Sequence, residues 1–218
     1  MSTTAQSIIY KAQLALQDLT GVRWSAQELV TYLNDVQRIL VVQRPDSNAV
    51  AASFVPAAGA RQNLPAAAAS LIDVQRNTNG SKKAIRKIDQ SILDAFNPDW
   101  RSITGVTEFT NFIYDPREPN IFHLYPPSAA SGGSVEVVYS AYPAAIATPT
   151  TAVYTSVTGN VEVQDQWADA LLAGVLSKAY GKDAEFGGNA ELSMSYAASF
   201  QQFTGSQLKA SQAVAPQK

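Results

Sequence analysis

The sequence predicts an α+β fold, a helical bundle built from N- and C-terminal helices with a small antiparallel β domain inserted between them. Three observations predict it. Apolar residues recur at helical spacing near both ends of the chain. Between about 46 and 147 that period gives way to short β-branched and aromatic runs, punctuated by proline and glycine. A two-helix hairpin standing alone would expose its apolar stripe, so the helices of both ends are expected to bury theirs together. The expected division is a bundle from 1–45 and 163–205, a β insertion at 46–147, a connector loop at 148–162 and an extended C-terminal tail at 206–218.

The first helix is expected over 3–20. Ile8, Ala12, Ala15, Leu16 and Leu19 share a stripe, and Gly21 stands where a glycine commonly ends a helix. The second, about 26–43, is the best-marked element. Ser25 stands three residues before Glu28, the capping-box spacing, and Trp24 and Leu29 are placed to close a hydrophobic staple. Leu29, Leu33, Val36 and Leu40 carry its period, and Pro45 forbids its continuation.

Strands are expected at 51–55, 70–76, 84–88, 107–114, 121–125 and 135–141. The turn-rich run Asp115-Pro-Arg-Glu-Pro-Asn120 joins two of them into a hairpin. Asp89 caps a short helix that ends before Pro98. The Pro/Thr/Ala-rich stretch 143–161, which runs from the end of the β insertion through most of the connector, lacks periodicity. Helices return near Asp165, with Trp167, Leu171, Val175 and Ala179 on one stripe. The last helix is expected over about 184–203, starting nearer Asn189 because Gly187-Gly188 weakens the first turns by about 1 kcal/mol each.

Composition excludes several classes. The chain of 218 residues has no cysteine, which removes disulfides and thiolate metal sites. Its net charge of -2 gives no global electrostatic case for tight nucleic-acid binding. No secretory signal or bilayer-length apolar run is present, so a soluble protein made in the cytoplasm is expected.

Chemistry-bearing patterns are few. His123 lacks partners at short spacing for a metal or a base and reads as structural. Asp183/Glu185 and Glu162/Asp165 stand at helix starts, where acidic groups favour the dipole. No phosphate-binding loop or nucleophile elbow occurs. No catalytic, metal or cofactor-binding residue is therefore assigned, no cofactor is expected, and the chain is not read as an enzyme. The run Lys82, Lys83, Arg86, Lys87 is the sharpest local charge. It faces nucleic acid or an acidic partner, or it guards an edge strand against strand addition.

Taken in order, several segments resemble an uncharacterised family of tailed phages and prophages. They are Arg23-Trp24-Ser25, Tyr32-Leu33-Asn34-Asp35, Arg44-Pro45-Asp46, Arg61-Gln-Asn-Leu-Pro65, Asp73-Val-Gln-Arg-Asn77, Asn97-Pro-Asp-Trp100, Tyr114-Asp-Pro-Arg117, Tyr125-Pro-Pro127 and Ser177-Lys-Ala-Tyr-Gly-Lys-Asp183. The layout also resembles the head-to-tail adaptors of phages, including the tail tubular protein A group.

The resemblance implies a structural virion protein at the head–tail junction, made in the host bacterium. It implies a homo-oligomeric ring, commonly dodecameric, beneath the portal protein. That ring receives the next tail component, a nozzle or tail tube, and lets DNA pass without sequence-specific binding. It makes Leu208, Lys209, Val214, Pro216 and Lys218 candidate portal-binding residues, and places the basic run on the channel or on a subunit interface. The helix face with Thr31, Asp35 and Arg38 is the expected contact with a neighbouring subunit. The alternative is a glycan- or receptor-binding module of a phage tail, with its site around Tyr114, His123 and Tyr125.

Overall fold

A computed structural model describes residues 3–129, 131–183 and 185–214. Two compact units form. The helical unit takes the described residues up to Asn48 and from Pro143 onward, and the β unit spans Ala49–Tyr142.

The helical unit contains α1 (Ala5–Ala15), α2 (Ala26–Gln43), α4 (Ala168–Lys182) and α5 (Asn189–Val214). Thr4 caps α1, its hydroxyl accepting the Ser7 N–H, and Ser25 caps α2 by accepting from Glu28 N. Only half of the expected capping box forms. The Glu28 carboxylate goes instead to the Tyr32 hydroxyl at 2.6 Å and to Lys182 Nζ at 2.7 Å.

The first helix is shorter than its sequence period suggests. It ends in a Schellman motif with Gln17, not glycine, in the left-handed region. Asp18 then turns the chain by accepting the N–H groups of Val22, Arg23 and Trp24. Gly21 is required here, because its positive φ favours glycine and a Cβ would strike the Ala152 carbonyl.

α1, α2 and α5 all pack on α4. Ile8, Leu29, Leu33, Leu40, Leu171 and Val175 form this core, each nearly or fully buried. Segment 143–167 is loop with two short 3-10 turns, yet it is not a passive tether. Val157, Val161 and Val163 are buried with the helices. Gln13, fully buried on α1, donates to the carbonyls of Trp24 and Ala152 and accepts from Tyr154 N. Both amide N–H donors and the carbonyl oxygen are engaged, which offsets the cost of burying an amide.

α5 continues to Val214, past 206, where an extended tail is expected from composition. Small, polar residues there have adequate helix propensity, and a preformed helix on their N-terminal side spares them the cost of nucleation.

The β unit has two sheets. β1 (Ala49–Phe54), β7 (Val135–Ala141) and β3 (Ala68–Asn77) pair antiparallel in the order β1-β7-β3. β2 (Gly59–Asn63), β6 (Ile121–Ser128), β5 (Asn111–Ile113) and β4 (Arg86–Lys87) form the other, in that order. The β5–β6 hairpin matches its expectation. β4 departs from it by pairing parallel to β5.

Main-core residues come from both sheets: Leu71 and Val74 of β3, Val137 of β7, Phe112 of β5, Phe122 and Leu124 of β6. A second cluster, on the other face of β5, brings Ile113 together with Ala60, Trp100 and Leu93 of α3 (Gln90–Phe96). Asn77 is the polar joint of the unit. Its buried amide donates to Lys83 O and Phe109 O and accepts from Phe109 N.

Candidate assembly surfaces

The helical unit is closed by one buried cation. Arg44, at the end of α2, is 4% exposed. Its Nε and Nη2 donate to the two oxygens of Asp46 at 2.9 and 2.7 Å, a fork-on-carboxylate geometry. Nη1 donates to Thr204 O of α5 at 3.0 Å, and the guanidinium lies 5.2 Å from the Trp167 ring centroid. The Arg44 hydrogen bond holds the Asp46 carboxyl below the usual range.

One face of α2 is ion-paired to α4. Asp35 Oδ2 takes Lys178 Nζ at 3.0 Å, and Glu28 takes Lys182. Arg23, just before α2, pairs with Asp183 and stacks on Phe186 at 4.3 Å. Tyr32 lies among these groups, and burial together with its bond to Glu28 pushes its phenol up to about 12.

Of the three expected interface residues, Asp35 is thus engaged within the chain, although its side chain stays 53% exposed. Thr31 and Arg38 are exposed. The stripe they define continues one turn further to Val42, an apolar side chain 64% exposed, with Ile39 beside it. A groove of about 220 Å³ opens beside this stripe, with Val36, Ile39, Gly174, Lys178 and Phe200 among its walls.

Of the candidate portal-binding residues, Leu208, Lys209 and Val214 fall within α5, while Pro216 and Lys218 lie outside the described residues. Lys82, Lys83, Arg86 and Lys87 are all exposed, on the turn before β4 and on β4 itself. β4 is the edge of its sheet, where charged side chains oppose strand addition.

Tyr114, His123 and Tyr125 do not form one site. Tyr114 packs on the main core, whereas Tyr125 packs on the second cluster. His123 and Tyr125 both stand edge-on to Trp100, at 6.2 and 6.3 Å. Strand alternation places residues 123 and 125 on one face, and the short β5 ends before Tyr114. Burial and the nearby Arg101 lower the His123 pKa, so its imidazole is neutral at pH 7. Among the described residues, no group of three or more His, Asp or Glu side chains is placed to hold a metal ion. No described helix is long and apolar enough to cross a membrane.

What the geometry emphasises is joints and faces. A family model described as SU10 adaptor protein matches residues 3–217. The chain belongs to the SU10 adaptor protein family. This adaptor is therefore a structural phage protein and a component of the virion. The match is to that family and not to the tail tubular protein A group that the layout resembles. A search of curated proteins finds no match.

The segments that carried the resemblance turn out to be fold joints of the adaptor. Arg44-Pro45-Asp46 supplies the clasp just described. Gln62, within Arg61-Gln-Asn, makes three hydrogen bonds to the β1–β2 turn at Ala57 and Gly59. Trp100 ends Asn97-Pro-Asp-Trp100 fully buried, with Nε1 on Asp94. Arg117 forks onto Asp115 in the hairpin turn. Such residues specify backbone geometry, which is why they identify a family without indicating a reaction.

Proposed function

We propose that this adaptor assembles as a ring beneath the portal and joins the phage head to the tail. The carrying observation is the family match over 3–217, nearly the whole chain. In this reading copies pack side by side through the outer stripe of α2, Thr31, Asp35 and Arg38, extended by Val42. Ile39 and Val42 supply the apolar centre such a contact needs, and the charged residues form its rim.

The ring, commonly dodecameric in related assemblies, keeps a continuous DNA channel between the portal and the next tail component. The C-terminal segment with Leu208, Lys209, Val214, Pro216 and Lys218 docks on the portal. The low charge content, 16%, suits a subunit with large contacts to its neighbours.

The test is capture of the adaptor by purified portal protein from the same phage, with and without residues 208–218. Capture of the full chain and at least tenfold weaker capture of the truncated one are expected. Equal capture of both removes the tail from the portal contact. No capture of the full chain argues against the portal as partner.

A further inference from the structure

Arg44, Arg76, Arg101, Lys178 and Lys182 each hold a carboxylate of their own chain. Lys82, Lys83, Arg86 and Lys87 hold none among the described residues. The two nearest acidic groups are already occupied. Glu108 accepts from the backbone and hydroxyl of Ser81, and Asp89 accepts from those of Ser91. Both carboxyls are lowered chiefly by these serine bonds, with Lys83 and Lys87 contributing at longer range. A chain of net charge -2 therefore concentrates four cations without a direct ion pair in one six-residue run, offset only at longer range by Glu108 and Asp89.

The fold holds this run in place. The Asn77 amide and backbone N–H both bond to Lys83 O. Ile85 N donates to Gln75 O, and Arg86 N and Ile88 N donate to Thr110 O and Phe112 O across to β5. Residues 83 and 85 are thus pinned to β3 of one sheet, and 86 and 88 to Thr110 and Phe112 on the other, so the run stands on a held backbone. Lys82 stands in a turn at positive φ and only Arg86 and Lys87 are in β4, so the four cations lie within at most about 17 Å of chain, a length matched by several phosphates on one DNA strand.

The surroundings decide between partner classes. Interfaces between proteins put apolar and aromatic side chains at their centre and deplete lysine there. Here Ile85 is buried and Ile88 packs inward on the second cluster, so the exposed positions beside the cations are Gly80, Ser81, Ala84 and Asp89. Within the run no large apolar side chain is exposed, and the aromatic beside it, Tyr114 under Lys87 Nζ at 5.8 Å, is half-buried on the main core.

We infer that the turn and edge strand carrying Lys82, Lys83, Arg86 and Lys87 form a sequence-independent contact for the phosphate backbone of duplex DNA. This rests on the adaptor reading, in which DNA passes the assembled ring, and adds the surface that meets it.

The experiment uses the full chain and a short fluorescent DNA duplex, with anisotropy followed from about 50 to about 200 mM salt. With four phosphates neutralised, the slope of log K against log salt is about -3.6, a weakening on the order of a hundredfold over that range. Replacing all four cations by alanine is expected to abolish most of this dependence, at unchanged thermal unfolding. Should that variant fail to fold, Lys82→Ala and Lys87→Ala separately are each expected to reduce the slope by about one.

A slope that does not change on substitution overturns the inference. So does displacement of DNA by polyglutamate at matched charge, which points to an acidic protein partner. If the substitutions raise self-association and leave DNA binding alone, the run is an edge guard only. Loss of DNA binding with portal capture intact leaves the adaptor reading standing, so the two claims fail separately.

Discussion

Arg44 Nη1 donates to the carbonyl of Thr204 at 3.0 Å, linking residues 160 positions apart. It ties the end of α2 to α5, so the first and last parts of the described chain meet in one unit. The guanidinium is buried and its other donors are taken by Asp46. Replacing it leaves a carbonyl and a carboxylate without their partner. Arg44→Ala is expected to cost about 3 kcal/mol, lowering the unfolding temperature by roughly 6–12 °C. Arg44→Lys, a point charge without the fork, is expected to recover less than half of that. Calorimetry of the three proteins checks it.

A close approach between helices gives a second prediction. A Cβ at Gly174 of α4 would lie 2.5 Å from Val36 Cγ1 and 3.0 Å from Val36 Cγ2 of α2. Gly174→Ala is expected to cost about 1–3 kcal/mol by overpacking, despite alanine's better helix propensity. Val36→Ala in the same chain should restore part of the loss. Urea midpoints of the single and double variants report this coupling, and simple additivity would show that the two sites do not touch.

The two faces of α2 should respond differently. Leu33 is fully buried, and Leu33→Asp places an unpaired charge in the core, which is expected to unfold the helical unit. Arg38 is exposed, and Arg38→Glu is expected to change monomer stability by only about 0.5 kcal/mol while reducing ring formation. Circular dichroism and sizing of both variants separate core from contact surface. Identical behaviour would erase the distinction.

Acid should loosen the same clasp. Asp46 has its carboxyl lowered by Arg44, and Asp18 is lowered because three backbone N–H bonds outweigh its burial. A folded pKa below the unfolded one means the unfolded chain binds more protons as pH falls. Their contribution is complete above the ordinary carboxylate range and is lost as pH falls through the folded values. The stability gap between the wild type and Asp46→Asn is therefore expected to be widest at neutral pH and to close below about pH 4. Denaturant unfolding at a series of pH values measures the gap directly.

Much of the fold was legible because its signals are local. The Ser25 cap, the α2 period and the β5–β6 turn residues depend on neighbours a few positions away. What was missed depends on distant partners. Gly59–Asn63 has no strand-like composition, and its pairing is imposed by β6 and by the Gln62 amide. Gln17 ends α1 early by taking the left-handed conformation, so that the Gln17 and Asp18 N–H groups donate to Leu14 O and Gln13 O, a closure that no helix period reveals. Asp35, expected on the face toward a neighbouring subunit, is paired within the chain because α4 brings Lys178 beside it. The surfaces were least legible, since the helix period shows that Val42 lies on the outer face with Asp35 and Arg38 but not what covers it.

The central claim is a structural role in a ring on the portal. Mass photometry of the purified adaptor mixed with purified portal rings tests it most directly. The account predicts a discrete added mass corresponding to a closed set of copies, reduced by Arg38→Glu. A chain that remains monomeric beside unchanged portal rings at high micromolar concentration would contradict it.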